Sequence, residues 1–258
     1  MKIIITLIFL ILSSSCLDFK KNTKEVIEVT DEINQSVNIK SQKTTRYSAG
    51  MKFGEVVKVK WEDSSEEFYD KKGKIIKKLI FDEDGTLSTK EIYHYDVKEK
   101  LIEMIYIFEG KEIARWDYSY EYDEIGNEIK FTDKSIEGTF ERKEIIKYDK
   151  NGNILEVDVF TDKNTRVQFG AKIKNEYNHY NNLIKVKEYM DDGSLSYTTT
   201  FKYDEGGDLI EKYSYSEWSD YLNLKFKYEY NSKNNWIKKI EYKDGELNTV
   251  TYRKIEFY

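Results

Sequence analysis

The sequence predicts an all-β protein: an antiparallel meander of about 14–15 strands from seven two-strand repeats, curled into an open barrel, a spiral or a coiled sandwich. Three observations carry this. A Tyr-Asp-x-x-Gly-Asn signal returns at Tyr69, Tyr95, Tyr122, Tyr148, Tyr177, Tyr203 and Tyr230, at spacings of 26, 27, 26, 29, 26 and 27 residues. A second turn signal follows about a dozen residues past several of these anchors, as in Asp82-Glu83-Asp84-Gly85, Glu109-Gly110, Asp191-Asp192-Gly193 and Lys243-Asp244-Gly245. Between turns the residues alternate: Trp116, Tyr118, Tyr120 and Tyr122 share one face, with Asp117, Ser119 and Glu121 on the other. Tyr197, Thr199, Phe201 and Tyr203 repeat the pattern, as do Leu224, Phe226, Tyr228 and Tyr230. A period of two with aromatic and β-branched residues is the signature of strand rather than helix.

Each unit begins with a turn. The stretches read YDKKGKII (69–76), YDVKEKLI (95–102), YDEIGNEI (122–129), YDKNGNIL (148–155), YNHYNNLI (177–184), YDEGGDLI (203–210) and YNSKNNWI (230–237). The second residue is Asp or Asn, whose side chain can accept from the backbone two residues on. The fifth is Gly73, Gly126, Gly152, Gly207, Asn181 or Asn234, residue types that enter a left-handed conformation at low cost. Together they predict a type I turn closed by a left-handed residue. Glu99 breaks the pattern, so the turn at 96–100 is expected to be irregular. The eighth position is aliphatic throughout. Val57, Val59 and Trp61 add one strand before the first anchor. A flat sheet of this many strands would be about 70 Å wide with one apolar face in water, so it must roll up.

These units resemble the YD repeats of Rhs-type bacterial proteins, and Tyr148-Asp149-Lys150-Asn151-Gly152-Asn153-Ile154 fits that pattern best. The resemblance covers residues 69–258. In that family the repeats form a β-sheet shell and the chemistry resides in appended domains. The 258 residues here carry no such domain, so the resemblance implies a scaffold and binding surface without catalysis.

The N-terminus reads as a processing signal. Met1-Lys2 precedes an apolar run, Ile3–Leu12, then Ser13-Ser14-Ser15-Cys16. That is the layout of a secretory signal, and the run is too short to span a bilayer. Cys16, the single cysteine of the chain, stands where a bacterial lipoprotein carries its lipidated cysteine. The domain reading is therefore a signal peptide at 1–15, a lipidated Cys16 with a polar tether at 16–48, and the repeat domain at 49–258. Val26, Val29, Ile33 and Val37 lie at helical spacing within the tether. Leu17 follows the cysteine; by resemblance to enterobacterial lipoproteins, the absence of Asp there points to the outer membrane.

Charge and chemistry narrow the function. The net charge of −6 is made of interleaved signs, which argues against nucleic acid and against a polybasic membrane patch. With one cysteine there is no intramolecular disulfide. Two histidines, His94 on a strand's solvent face and His179 in a turn, build neither a triad nor a zinc site. Carboxylate pairs such as Asp191-Asp192 fall where turns require Asp. No cofactor and no metal are expected. Among 22 Tyr, 13 Phe and 4 Trp, most serve the core, while Trp218 and Tyr180 lie in turns as candidate ligand contacts. The expectation is a non-catalytic lipid-anchored envelope protein that presents its β-surface to protein or glycan. A structural assembly factor of the envelope, a polysaccharide-acting enzyme and a toxin's immunity partner remain open alternatives.

Overall fold

The computed structural model describes residues 39–135, 140–161, 170–216 and 219–258. Sixteen strands follow one another: β1 (Ile39–Lys52), β2 (Glu55–Tyr69), β3 (Ile75–Phe81), β4 (Leu87–Tyr95), β5 (Leu101–Phe108), β6 (Lys111–Tyr122), β7 (Glu128–Ser135), β8 (Phe140–Tyr148), β9 (Ile154–Thr161), β10 (Lys172–Tyr177), β11 (Leu183–Tyr189), β12 (Leu195–Tyr203), β13 (Leu209–Ser216), β14 (Ser219–Tyr230), β15 (Trp236–Lys243) and β16 (Glu246–Phe257). Every strand pairs with its sequence neighbours, and β1 also pairs with β16, so the meander closes into a barrel. The described residues contain no helix.

The all-β meander expected from the repeats is present, with one strand more than the upper count. The addition is β1, which begins at Ile39 inside the stretch read as tether, so the sheet starts ten residues earlier than position 49. Its sequence, IKSQKTTRYSAGMK, is polar on both faces and shows no apolar alternation. Its place comes from its neighbours: it fills the gap between β2 and β16 and removes both sheet edges, which would otherwise offer unpaired backbone groups to another chain. The seam is tied by Gln42, which accepts from Arg253 at 3.3 Å and donates to Tyr69 at 2.6 Å.

The register separates two faces around the whole barrel. The anchor tyrosines lie on one, with Trp116, Phe201, Leu224 and Arg253. This face is the more enclosed. Its packed centre is Leu183, Val186 and Phe201, against Ile173, Tyr177, Tyr203 and Leu209. Two of its carboxylates are well shielded, Glu128 at 4% and Glu144 at 14% side-chain exposure.

Candidate functional site

The seven anchor turns all lie at one end of the barrel and form a crown. In each, the Asp or Asn Oδ1 accepts two backbone N–H groups: Asp149 accepts from Asn151 at 2.8 Å and Asn153 at 2.9 Å, and Asn178 from Tyr180 at 2.9 Å and Asn182 at 3.0 Å. The fifth residue is left-handed, as at Gly152 (φ 86°) and Asn181 (φ 65°). Glu99 takes the same conformation (φ 66°), and its turn closes regularly through Asp96 N–H to the Lys100 carbonyl at 2.9 Å. The irregularity expected there does not occur: Asp96 holds the turn from within, accepting from Lys98 and Lys100, and the Glu99 carboxylate reaches outward to Lys72 at 2.8 Å.

The strand leaving the bulged turns explains three of the anchor tyrosines, Tyr95, Tyr177 and Tyr203, and two that stand two residues before an anchor, Tyr120 and Tyr228. In six of the seven units the eighth residue is an extra strand residue, a β-bulge: Tyr203 opposes Leu209 and Lys202 opposes Glu211, leaving Ile210 unpaired. A bulge disrupts the ladder locally and leaves a backbone group seeking a partner. The seventh residue's carbonyl receives it from the next unit. Tyr95 donates to the Ile75 carbonyl at 2.9 Å, Tyr120 to Leu101 at 2.8 Å and Tyr177 to Ile154 at 3.0 Å. Tyr203 donates to Leu183 and Tyr228 to Leu209, both at 2.8 Å, and Arg253 Nε to Trp236 at 2.9 Å. Each unit is thereby fastened to its successor. Burial pushes the Tyr95 phenol up to about 12, with the Asp70 charge adding to it, so the hydroxyl stays protonated and donating at neutral pH.

The repeat breaks at one place. The unit at 122–129 has no bulge, and its seventh residue is Glu128 where the others carry Ile, Leu or Trp. Here Tyr148 donates to the Glu128 carboxylate at 3.0 Å instead of to a carbonyl, and Lys100 pairs with the same carboxylate. Burial, then the Glu128 charge, push the Tyr148 phenol upward. Beside it, Glu144 pairs with Arg142 at 2.8 Å and Lys130 at 3.4 Å. Burial alone would raise the Glu144 carboxyl; the two cations outweigh it and hold it low. Sequence reasoning missed this cluster, although Glu at the seventh position of a single unit was visible in the aligned repeats.

The opposite face carries a belt of cross-strand pairs that sequence reasoning also missed. The residue before an anchor meets the residue eight after it: Lys147 with Glu156 at 2.8 Å, Glu176 with Lys185 at 3.2 Å, Lys202 with Glu211 at 2.9 Å and Glu229 with Lys238 at 2.6 Å. His94 takes this position with Glu103, on the solvent-facing side expected for it. Opposite charges nine residues apart across four of the seven turns were the available signal. Burial works to raise Glu156, but hydrogen bonds from Lys147 and Lys172 hold it down to about 2.

At the other end of the barrel the β1–β2 hairpin stands clear of its neighbours. Pairing of β1 to β16 ends at Ser48 and pairing of β2 to β3 ends at Ser64, while the hairpin itself continues to Lys52 and Glu55. About five residues of hairpin therefore project beyond the rim, roughly 16 Å. Its apex is Phe53, 96% exposed and left-handed at φ 53°, followed by Gly54. Met51 and Val59 are exposed beside it. The comparable two-residue turns Glu109-Gly110 and Asp244-Gly245 carry polar residues in the same left-handed position. A shallow depression of about 250 Å³ near this rim is lined by Leu87, Ser88, Lys90, Ile107 and Gly110 and brings no carboxylates together.

Of the residues singled out from sequence, Tyr180 is exposed at the tip of its turn, its ring centre 3.8 Å from that of His179 and tilted 43° to it. Trp218 and Cys16 lie outside the described residues. No cluster of three or more His, Cys, Asp or Glu side chains suited to a metal occurs among the described residues.

The family model that matches residues 18–141 is described only as that of an uncharacterised protein. No curated protein matches the chain. Among solved structures, a porin-like protein from Bacteroides uniformis is similar with a TM-score of 0.52 and 8% identity, over 84% of this chain and 98% of that one. At that identity the likeness shows the fold alone: an antiparallel β-barrel. A porin-like protein from Bacteroides vulgatus (11% identity, TM-score 0.30, 84% and 98% of the two chains) and a putative outer membrane lipoprotein-sorting protein domain from Vibrio parahaemolyticus (12%, 0.30, 90% and 91%) match too loosely to carry an argument.

Proposed function

We propose that the chain is a non-catalytic, lipid-anchored protein of the bacterial outer membrane, held through Cys16, whose closed barrel of degenerate YD repeats presents a rigid β-surface to a partner protein. The observation that carries this reading is charge on both faces of the barrel. A barrel that crosses lipid needs an unbroken apolar band outward. Here one face holds the Lys147–Glu156, Lys202–Glu211 and Glu229–Lys238 pairs, and the other holds Glu128, Lys130, Arg142 and Glu144. Either face turned to hydrocarbon would strand ion pairs there. Several strands also fall short of the ~9–11 residues that span a bilayer, β10 having six. The barrel belongs in water, and attachment falls to the Lys2–apolar–Cys16 leader.

The element best shaped for contact is the β1–β2 hairpin. A bulky residue in the left-handed region costs about 1–2 kcal/mol, yet Phe53 occupies it at full exposure. An exposed aromatic held on a preorganised turn is the kind of anchor that fills a partner's pocket. Metabolic labelling with a palmitate analogue tests the anchor. The wild-type chain incorporates label and Cys16→Ala does not; an unlabelled wild-type chain contradicts the reading.

A further inference from the structure

The crown has the composition of a surface that meets lipid headgroups. Its outermost residues are the third and fourth of each unit, and all fourteen are exposed. Three are apolar: Val97 at 97% exposure, Ile125 at 83% and Tyr180 at 72%. Lys71, Lys98, Lys150 and Lys233 stand among them beside Glu124 and Glu205, and Lys72 is paired with Glu99 at 2.8 Å. The turn carboxylates Asp70, Asp96, Asp123 and Asp149 are turned back onto backbone N–H groups of their own turns. Those same bonds fix the apices: the N–H groups of Ile125 and Tyr180 are held by Asp123 and Asn178.

The chain itself says which way this end faces. β1 enters at Ile39, opposite Phe257, and Gln42 pairs beside Tyr69 and Glu67 at the crown. The residues preceding the barrel thus join it at the crown and not at the hairpin rim. Twenty-two residues separate Cys16 from Ile39 (38 − 16 = 22). The fourteen residues of β1 then carry the chain about 46 Å from the crown toward the hairpin rim.

We propose that the crown is a membrane-resting face, on which Val97, Ile125 and Tyr180 enter the headgroup layer and the apex lysines meet lipid phosphates. Apolar tips and tyrosine among lysines suit that layer, where each has an apolar body or stem and a polar end. The inference rests on the anchor proposed above and adds an orientation: crown against the membrane, Phe53 hairpin away from it. Tyr180 then serves the lipid interface and not a glycan.

Site-specific fluorescence quenching tests it. The full chain is isolated from membranes, where acylation leaves no native thiol, with a cysteine introduced at Ile125→Cys or Tyr180→Cys and, separately, at Phe53→Cys. Each is labelled with an environment-sensitive dye and reconstituted in phosphatidylcholine–phosphatidylglycerol vesicles containing a headgroup-depth nitroxide lipid. The crown labels are quenched several-fold more than the Phe53 label. Equal quenching at both ends, or stronger quenching at Phe53, in protein that floats with the vesicles overturns the orientation and leaves the anchor standing. Protein that does not float overturns the anchor and this inference with it.

Discussion

The phenol of Tyr203 donates to the carbonyl of Leu183 at 2.8 Å, so the anchor of one repeat closes the bulge of the repeat before it. The Leu183 side chain is 5% exposed and sits in the packed centre. Tyr203→Phe leaves that acceptor without its donor, and the expected loss is about 1–2 kcal/mol in urea unfolding. Tyr180→Phe, at an exposed apex, leaves the midpoint unchanged. Equal effects from the two would remove the lock as the reason for Tyr203.

At Glu128 the bond from the next unit's tyrosine runs to a carboxylate, which Lys100 also meets. Glu128→Ala leaves Lys100 and Tyr148 without their acceptor, and we expect a loss of about 2 kcal/mol. Glu128→Leu combined with Lys100→Met restores the apolar seventh residue of the other units and recovers most of it. A double-mutant cycle with no coupling energy would show that the pair is incidental.

Acid sensitivity arises at Glu156, whose carboxyl is held at about 2 against an ordinary value of 4.5. A depressed folded value means the stabilisation is complete above about 4.5 and is lost as pH falls toward about 2. Glu156→Gln flattens the dependence of the urea midpoint in that window. A wild-type profile that is already flat there contradicts the assignment of Lys147 and Lys172 as its partners.

Phe53 holds a left-handed conformation better suited to Asn. Phe53→Asn raises stability by about 0.5–1 kcal/mol while removing the exposed ring. A melting temperature that falls instead would mean the ring packs on its own hairpin.

Turns were the most legible feature of the sequence. Gly152, Asn181 and their counterparts are dictated by backbone conformation, and Asp149 by two local N–H groups, so their reasons lie within five residues. Glu99 misled because residue type is only one support of a left-handed position, and the Asp96 side chain supplies another. Closure was illegible for a different reason. The seam joins Gln42 to Arg253 across 211 residues, and β1 owes its strand state to partners that no local pattern announces. The Tyr-to-carbonyl locks span about one repeat; the period pointed to the tyrosines, but only the bulge at Ile210 and its equivalents shows what they hold.

The most direct test of the account is extraction of membranes bearing the wild-type chain and Cys16→Ala. The account has the barrel in water and the acyl group as its hold on the membrane. It predicts wild-type protein in the pellet after high-salt and carbonate washes, released by detergent, with the Cys16→Ala barrel recovered folded in the soluble fraction once its leader is removed. A Cys16→Ala chain that loses its leader yet stays in the washed pellet would contradict it, because the barrel itself would then be the part embedded in lipid.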